Sequence, residues 1–134
     1  MTQKQKNLLI KDLCSRLPYG VKVLYKGEKY KISNVSICNE TITIYGERGY
    51  PIEVEIKKVK PYLFPLSSIT EEQKEELDKY LDMDSKSLID GYKNGLKCAH
   101  PYFNVQDWYN KNHFDYRGLI PMGLAIDATG LNIY

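Results

Sequence analysis

Between residues 21 and 57, apolar and polar side chains alternate in four short runs separated by turn-forming residues. This pattern constrains the fold more than any other feature of the chain. Val21, Val23 and Tyr25 alternate with Lys22, Leu24 and Lys26; Gly27-Glu28 supplies a tight turn; Tyr30 and Ile32 then alternate with Lys29 and Lys31. The phase slips at Ser33-Asn34, because the next apolar residues are Val35 and Ile37. A one-residue slip in a period-two pattern is what a β-bulge produces. After a turn at Cys38-Asn39-Glu40, residues 41–45 are β-branched and aromatic, with Ile42 and Ile44 on one face. A Gly-rich turn, 46–51, leads to Ile52, Val54 and Ile56 alternating with Glu53, Glu55 and Lys57. Four strands joined by short turns should pair with their neighbours as an antiparallel meander, and a fifth short strand fits around residues 58–63. Such a meander either curls into a small SH3-like barrel or stays flatter beneath a helix.

The flanks are helical or irregular. Leu9, Leu13 and Leu17 recur every four residues beside Ile10 and Cys14, which predicts an amphipathic helix over 3–17, stopped by Pro18 and Gly20. Thr70-Glu71-Glu72-Gln73 has capping-box spacing and predicts a helix to about Asp82, with a narrow apolar face of Leu77, Tyr80 and Leu81. Leu88, Ile89 and Tyr92 suggest one or two further turns, and Asn104 is placed to cap a short helix carrying Trp108 and Tyr109 inward. Gly118, Pro121, Gly123 and Gly130 argue against long regular structure in the tail, though 124–126 and 131–134 each suit a short strand. The expected fold is α+β in a single domain of 134 residues. It comprises an N-terminal helix within 1–19, a four- to five-strand meander or small SH3-like barrel over 20–63, and a helical, loop-rich part over 64–134 packing on it.

Composition narrows the setting. Three widely spaced cysteines, Cys14, Cys38 and Cys98, do not make a disulfide framework. No apolar run approaches the roughly 20 residues that cross a bilayer, so no membrane partner is expected, and a reducing cytoplasm is the natural location. The formal net charge is only +2, but it is unevenly spread. Residues 1–66 carry twelve Lys/Arg against six Asp/Glu, and residues 67–134 carry seven against eleven. An anionic partner on the basic side would explain this, as would attraction between the two halves.

No set of residues stands out as catalytic. Cys98-Ala99-His100 with His113 gives one closely spaced pair where a structural zinc site wants two. A Cys98–His pair oriented by Asp107 or Asp115 needs spatial contact that spacing cannot supply. Glu71, Glu72, Glu75 and Glu76, interspersed with Lys74 and Lys79, read as a solvated helix face. No metal or cofactor is therefore expected.

Two patches suggest binding. Lys22, Lys26, Lys29 and Lys31 cluster around the first hairpin with Tyr25 and Tyr30. Lysines neutralise phosphates and tyrosine rings stack bases, so this composition suits a nucleic-acid platform. Edge-strand lysines also guard sheets against aggregation, and the small net charge falls short of domains that bind by charge alone. Four aromatics, a His, an Asp and an Arg fall within 108–118, where Trp108, His113, Asp115, Tyr116 and Arg117 could line a pocket. The plainer reading is that Trp108 and Phe114 close the core while Asp115 and Arg117 fix the loop.

The segments Val59-Lys60-Pro61-Tyr62-Leu63-Phe64-Pro65-Leu66-Ser67-Ser68, Thr70-Glu71-Glu72-Gln73, His113-Phe114-Asp115-Tyr116-Arg117-Gly118-Leu119-Ile120 and Gly123-Leu124-Ala125 resemble a group of uncharacterised small proteins of gut bacteria and their phages or mobile elements. The likeness extends to Leu17-Pro18-Tyr19-Gly20-Val21 and covers most of the chain, with the strands and 83–103 as its looser parts. It implies a cytoplasmic bacterial or phage context and carries no activity with it. The expected role is a non-enzymatic accessory or protein-interaction module with an unknown protein partner. The alternative is a nucleic-acid-binding module using the Lys/Tyr-rich hairpin.

Overall fold

The structure, a computed structural model, describes residues 1–79 and 105–134. Helix α1 spans Gln3–Arg16 and starts at Thr2, whose hydroxyl accepts from the Gln5 N–H at 3.1 Å while the Gln5 side chain accepts from the Thr2 N–H at 2.9 Å. This reciprocal cap satisfies two donors that a helix end otherwise leaves open. The four-residue spacing puts Leu9 and Leu13 on one face, both fully buried, and a short 3-10 turn, Leu17–Tyr19, ends the helix at Gly20 (φ 70°).

Strands β1 (Lys22–Tyr25), β2 (Glu28–Ser36), β3 (Thr41–Tyr45) and β4 (Ile52–Glu55) pair antiparallel in succession, as their alternation requires. The register shifts between Ile32 and Asn34, which is the bulge marked by the slipped apolar phase. Val23, Ile32, Ile42, Ile44 and Val54 share the inner face and join Leu9, Ile10 and Leu13 of α1 in one core. After β4 a 3-10 turn, Ile56–Lys58, buries Ile56 and is anchored by the Ile56 N–H donating to the Glu40 carbonyl at 3.0 Å. Strand β5 (Lys60–Leu63) then pairs with β1, on the opposite side of the sheet from β4.

The sheet does not close into a barrel. Its order is β4-β3-β2-β1-β5-β6, where β6 (Ile126–Asp127) adds parallel to the far side of β5. Because β1 and β6 occupy both edges of β5, no edge remains on β5 to meet β4. The result is an open, mixed, six-stranded sheet rather than a pure antiparallel meander.

Among the described residues, the expected helical character of the C-terminal half is present only in part. Residues 71–79 form helix α2, capped as the sequence predicts: the Gln73 N–H donates to the Thr70 hydroxyl at 3.2 Å, and the Gln73 side chain accepts from the Thr70 N–H at 3.0 Å. Helix α3 (Val105–Lys111) is a further short helix. The remainder, 112–134, is turns plus β6, and 131–134 forms no strand. The reason is local. Asp115 accepts from the N–H groups of Leu119 and Ile120, both at 2.8 Å, and so competes with helical pairing, while Gly118, Gly123 and Gly130 take φ near +75°. The Asn104 cap, the turns around 88–92, and Tyr80 and Leu81 lie outside the described residues. Leu119, Leu124 and Ala125 return to the main core beside Val59 and Leu63.

Candidate functional site

The first hairpin is built on a two-residue turn in which Lys26 (φ 48°) and Gly27 (φ 83°) are both left-handed, the geometry that follows the natural twist of paired strands. Its register sets Lys22 opposite Lys31, Val23 opposite Tyr30 and Leu24 opposite Lys29. Side chains alternate across a strand, so Val23, Tyr30 and Ile32 fall on the inner face while Lys22, Lys29 and Lys31 share the outer one. Tyr45 stands opposite Lys31 on β3 and extends that outer face. Tyr30 donates its hydroxyl to Glu28 at 3.1 Å, a bond to its protonated form that raises its pKa. Tyr25 meets Tyr30 edge-on at 6.0 Å, and the Lys26 ammonium sits 5.3 Å above the Tyr25 ring.

A cleft of about 1120 Å³ runs from this hairpin to the β3–β4 loop and takes residues from both faces of the sheet. Lys22, Lys29, Lys31 and Arg48 line it together with Tyr30, Tyr45, Tyr50 and Ile52, and Glu28 and Glu47 are its carboxylates. Four cations therefore face two anions. The side chains of Lys29, Lys31 and Arg48 make no ion pair or hydrogen bond among the described residues, and Tyr50 is 92% exposed. Of the hairpin residues expected at a binding surface, Lys22, Lys29, Tyr30 and Lys31 line the cleft; Tyr25 and Lys26 do not. Lys22 is also committed elsewhere, donating its ammonium to the Ile133 carbonyl at 2.7 Å and lying 5.7 Å from the Tyr134 ring. Tyr45, Arg48 and Tyr50 were not legible as a site. Their sequence signal is an arginine and a tyrosine set in a Gly-rich turn, which reads first as a connection.

The tail patch is built differently. Trp108 and Phe114 stack at 5.6 Å and 12°, both buried, and Tyr109 stacks on Tyr116 at 5.5 Å. Asp115 is 7% exposed and spends both oxygens on the backbone of Leu119 and Ile120. Arg117 donates to Asp12 at 3.2 Å and to the Tyr116 hydroxyl at 2.8 Å, with its guanidinium 4.7 Å over the Tyr116 ring. Asp12 also accepts from Arg16 at 2.8 Å, and Arg16 reaches the Phe114 carbonyl at 2.7 Å. His113 lies flat against Tyr134 at 3.6 Å; burial first, then Arg16 and Lys22, lower its pKa to about 4 and keep it neutral. These contacts turn the candidate pocket residues inward and join α1 to the tail.

A second hollow of about 640 Å³ lies between α1 and the β2–β3 turn, lined by Ile10, Cys14 and Ile37 among others, beside the Lys6–Glu40 ion pair at 2.7 Å. Burial raises the Cys14 pKa, which disfavours the reactive thiolate. Cys98 and His100 lie outside the described residues, and no group of three metal-ligating side chains occurs among the described ones. No helix among them is long and apolar enough to cross a membrane. The chain matches no protein-family model, and no curated protein or solved structure is significantly similar to it.

Proposed function

We propose that the protein is a non-catalytic binding module that holds nucleic acid in the cleft between the β1–β2 hairpin and the β3–β4 loop. The observation that carries this reading is the set of cations, Lys29, Lys31 and Arg48, whose side chains have no partner among the described residues and which line a cleft with three tyrosines. Cations without protein partners attract a polyanion and release its counterions on contact, and aromatic rings accept bases. The basic first half of the chain agrees with an anionic ligand. The sequence resemblance to small proteins of gut bacteria, phages and mobile elements suggests a cytoplasmic setting in which such ligands are abundant.

The test is fluorescence anisotropy with a labelled oligonucleotide across a salt series. Binding should weaken with salt, with a slope of log affinity against log salt of about −2 to −3 for three to four phosphate contacts. The Lys29→Glu/Lys31→Glu variant should lose it. No binding at low salt ends the proposal, and a hydrolytic or transferase activity abolished by His113→Ala would replace it with an enzyme.

An accessory role through protein contacts is the second reading. Among the described residues no strand pairs with the outer edge of β4, and Ile52 on it is 42% exposed. Such an edge invites a partner strand. Co-elution with the product of a neighbouring gene, lost on Ile52→Arg and kept on Lys29→Glu/Lys31→Glu, would favour this role over nucleic-acid binding.

A further inference from the structure

We infer that the β3–β4 loop selects single strands: Tyr50 stacks on an unpaired base while Arg48 holds the adjoining phosphate. The inference rests on the nucleic-acid reading above and names its ligand class. A tyrosine serving the fold shows it through burial or a hydrogen bond. Tyr30 does so, through Glu28 and Tyr25, and Tyr134 does so at the β1–β5 junction. Tyr50 does neither: it is 92% exposed, with no hydrogen bond or ring contact among the described residues. A ring this exposed contributes little to the fold and leaves its face open to a ligand.

Its setting says what that is. Tyr50 lies two residues from Arg48, and both line a cleft that Lys29 and Lys31 also line. A backbone following those lysines would present successive phosphates toward them and toward Arg48, with its bases directed at the rings. A duplex offers this ring no stacking surface, because its base faces are stacked on one another inside the helix and only base edges, sugar and phosphate are exposed. A single strand exposes base faces, and every base has one, so the contact is tolerant of sequence. Gly46 and Gly49 flank the loop, and a side chain at Gly46 would come within 3.5 Å of the Tyr30 ring, so the loop lies close against the hairpin.

The test uses the full chain and its Tyr50→Ala, Tyr50→Phe and Arg48→Gln variants. Three probes separate the contributions: a single-stranded oligonucleotide, the duplex of the same sequence, and heparin, a polyanion without bases. Tyr50→Ala should weaken single-strand binding about fivefold or more and leave heparin and duplex binding within about twofold. Tyr50→Phe should keep wild-type affinity. Arg48→Gln should weaken all three and lower the salt slope by about one. An unchanged single-strand affinity in Tyr50→Ala, or an equal loss on all three probes, overturns the inference while leaving the binding cleft standing. Failure of the wild type to bind any probe at low salt overturns both. Tyr50 is solvated, so an unchanged melting temperature in the variants assigns any loss to the ligand contact.

Discussion

Arg16 and Asp12 face each other one turn apart on α1, Nε to Oδ2 at 2.8 Å, and neither side chain is exposed to solvent. The second Asp12 oxygen accepts from Arg117, and the Arg16 guanidinium also holds the Phe114 carbonyl. A buried ion pair adds little net stability when intact, but removing one partner strands the other charge in a low-dielectric interior. Arg16→Ala should therefore lower stability by about 3 kcal/mol, toward the low end of that class because Arg117 still neutralises Asp12. Urea unfolding of Arg16→Ala, Asp12→Ala and the double variant checks this. The double variant should be clearly less destabilised than the sum of the two singles.

Tyr134 takes the place of a ladder rung. Beyond the Val23–Pro61 pair, its hydroxyl accepts from the Lys22 N–H at 3.0 Å and donates to the Tyr62 carbonyl at 2.7 Å. The residue as a whole keeps 42% exposure, yet its phenol end is enclosed, and that burial raises its pKa. Tyr134→Phe should cost about 1–2 kcal/mol, since both backbone groups then lack a partner. Faster hydrogen exchange at the Lys22 amide, with the other β1 amides unchanged, is the expected signature.

Stability should fall as acidity rises through the histidine range. The folded-state pKa of His113, about 4, lies below the ordinary 6.5, chiefly because burial penalises the charged ring. The unfolded chain therefore takes up a proton at His113 that the folded chain refuses, and the loss accumulates as pH drops from about 6.5 to about 4. His113 also occupies the left-handed region, φ 62°, which Asn tolerates well. His113→Asn should flatten the slope of unfolding free energy against pH between 6.5 and 4. An unchanged slope would mean that the ring is not held neutral.

Lys26 is the wrong residue for its turn. It sits at φ 48° beside Gly27 at φ 83°, where Asn-Gly is the preferred pair. Lys26→Asn should stabilise by about 0.5 kcal/mol, less whatever the Tyr25 ring contact contributes. Lys26 does not line the cleft, so oligonucleotide affinity should stay nearly constant. A thermal melt and one anisotropy titration suffice to check both.

What the sequence disclosed follows from how far each interaction reaches along the chain. Strands β1 to β4 and the bulge near Ser33 were legible because period-two burial is written locally, and the α2 start was legible because Thr70 and Gln73 cap one another three residues apart. The partner of β5 was not legible. Pairing Val23 with Pro61, and Tyr62 with Ile126, joins distant segments, and that choice decides between a barrel and an open sheet. Asp12 and Arg16 show an i,i+4 spacing, but their burial depends on residues 114–117 folding onto α1. The hairpin lysines were legible as a patch. Their conversion into a cleft was not, because Arg48 and Tyr50 gain meaning only once the β3–β4 loop is set beside that hairpin.

The Lys22–Lys31 pairing has one more consequence. Like charges directly opposite on neighbouring strands repel, so this pair works against the pairing of β1 with β2. Salt should relieve part of this by screening, and a bound anion should relieve more. At a concentration a hundredfold above Kd, a ligand that binds only the folded chain adds about 2.7 kcal/mol. The melting temperature thus reports occupancy, and a thermal-shift survey of oligonucleotides and other polyanions can rank ligands without any assay of function.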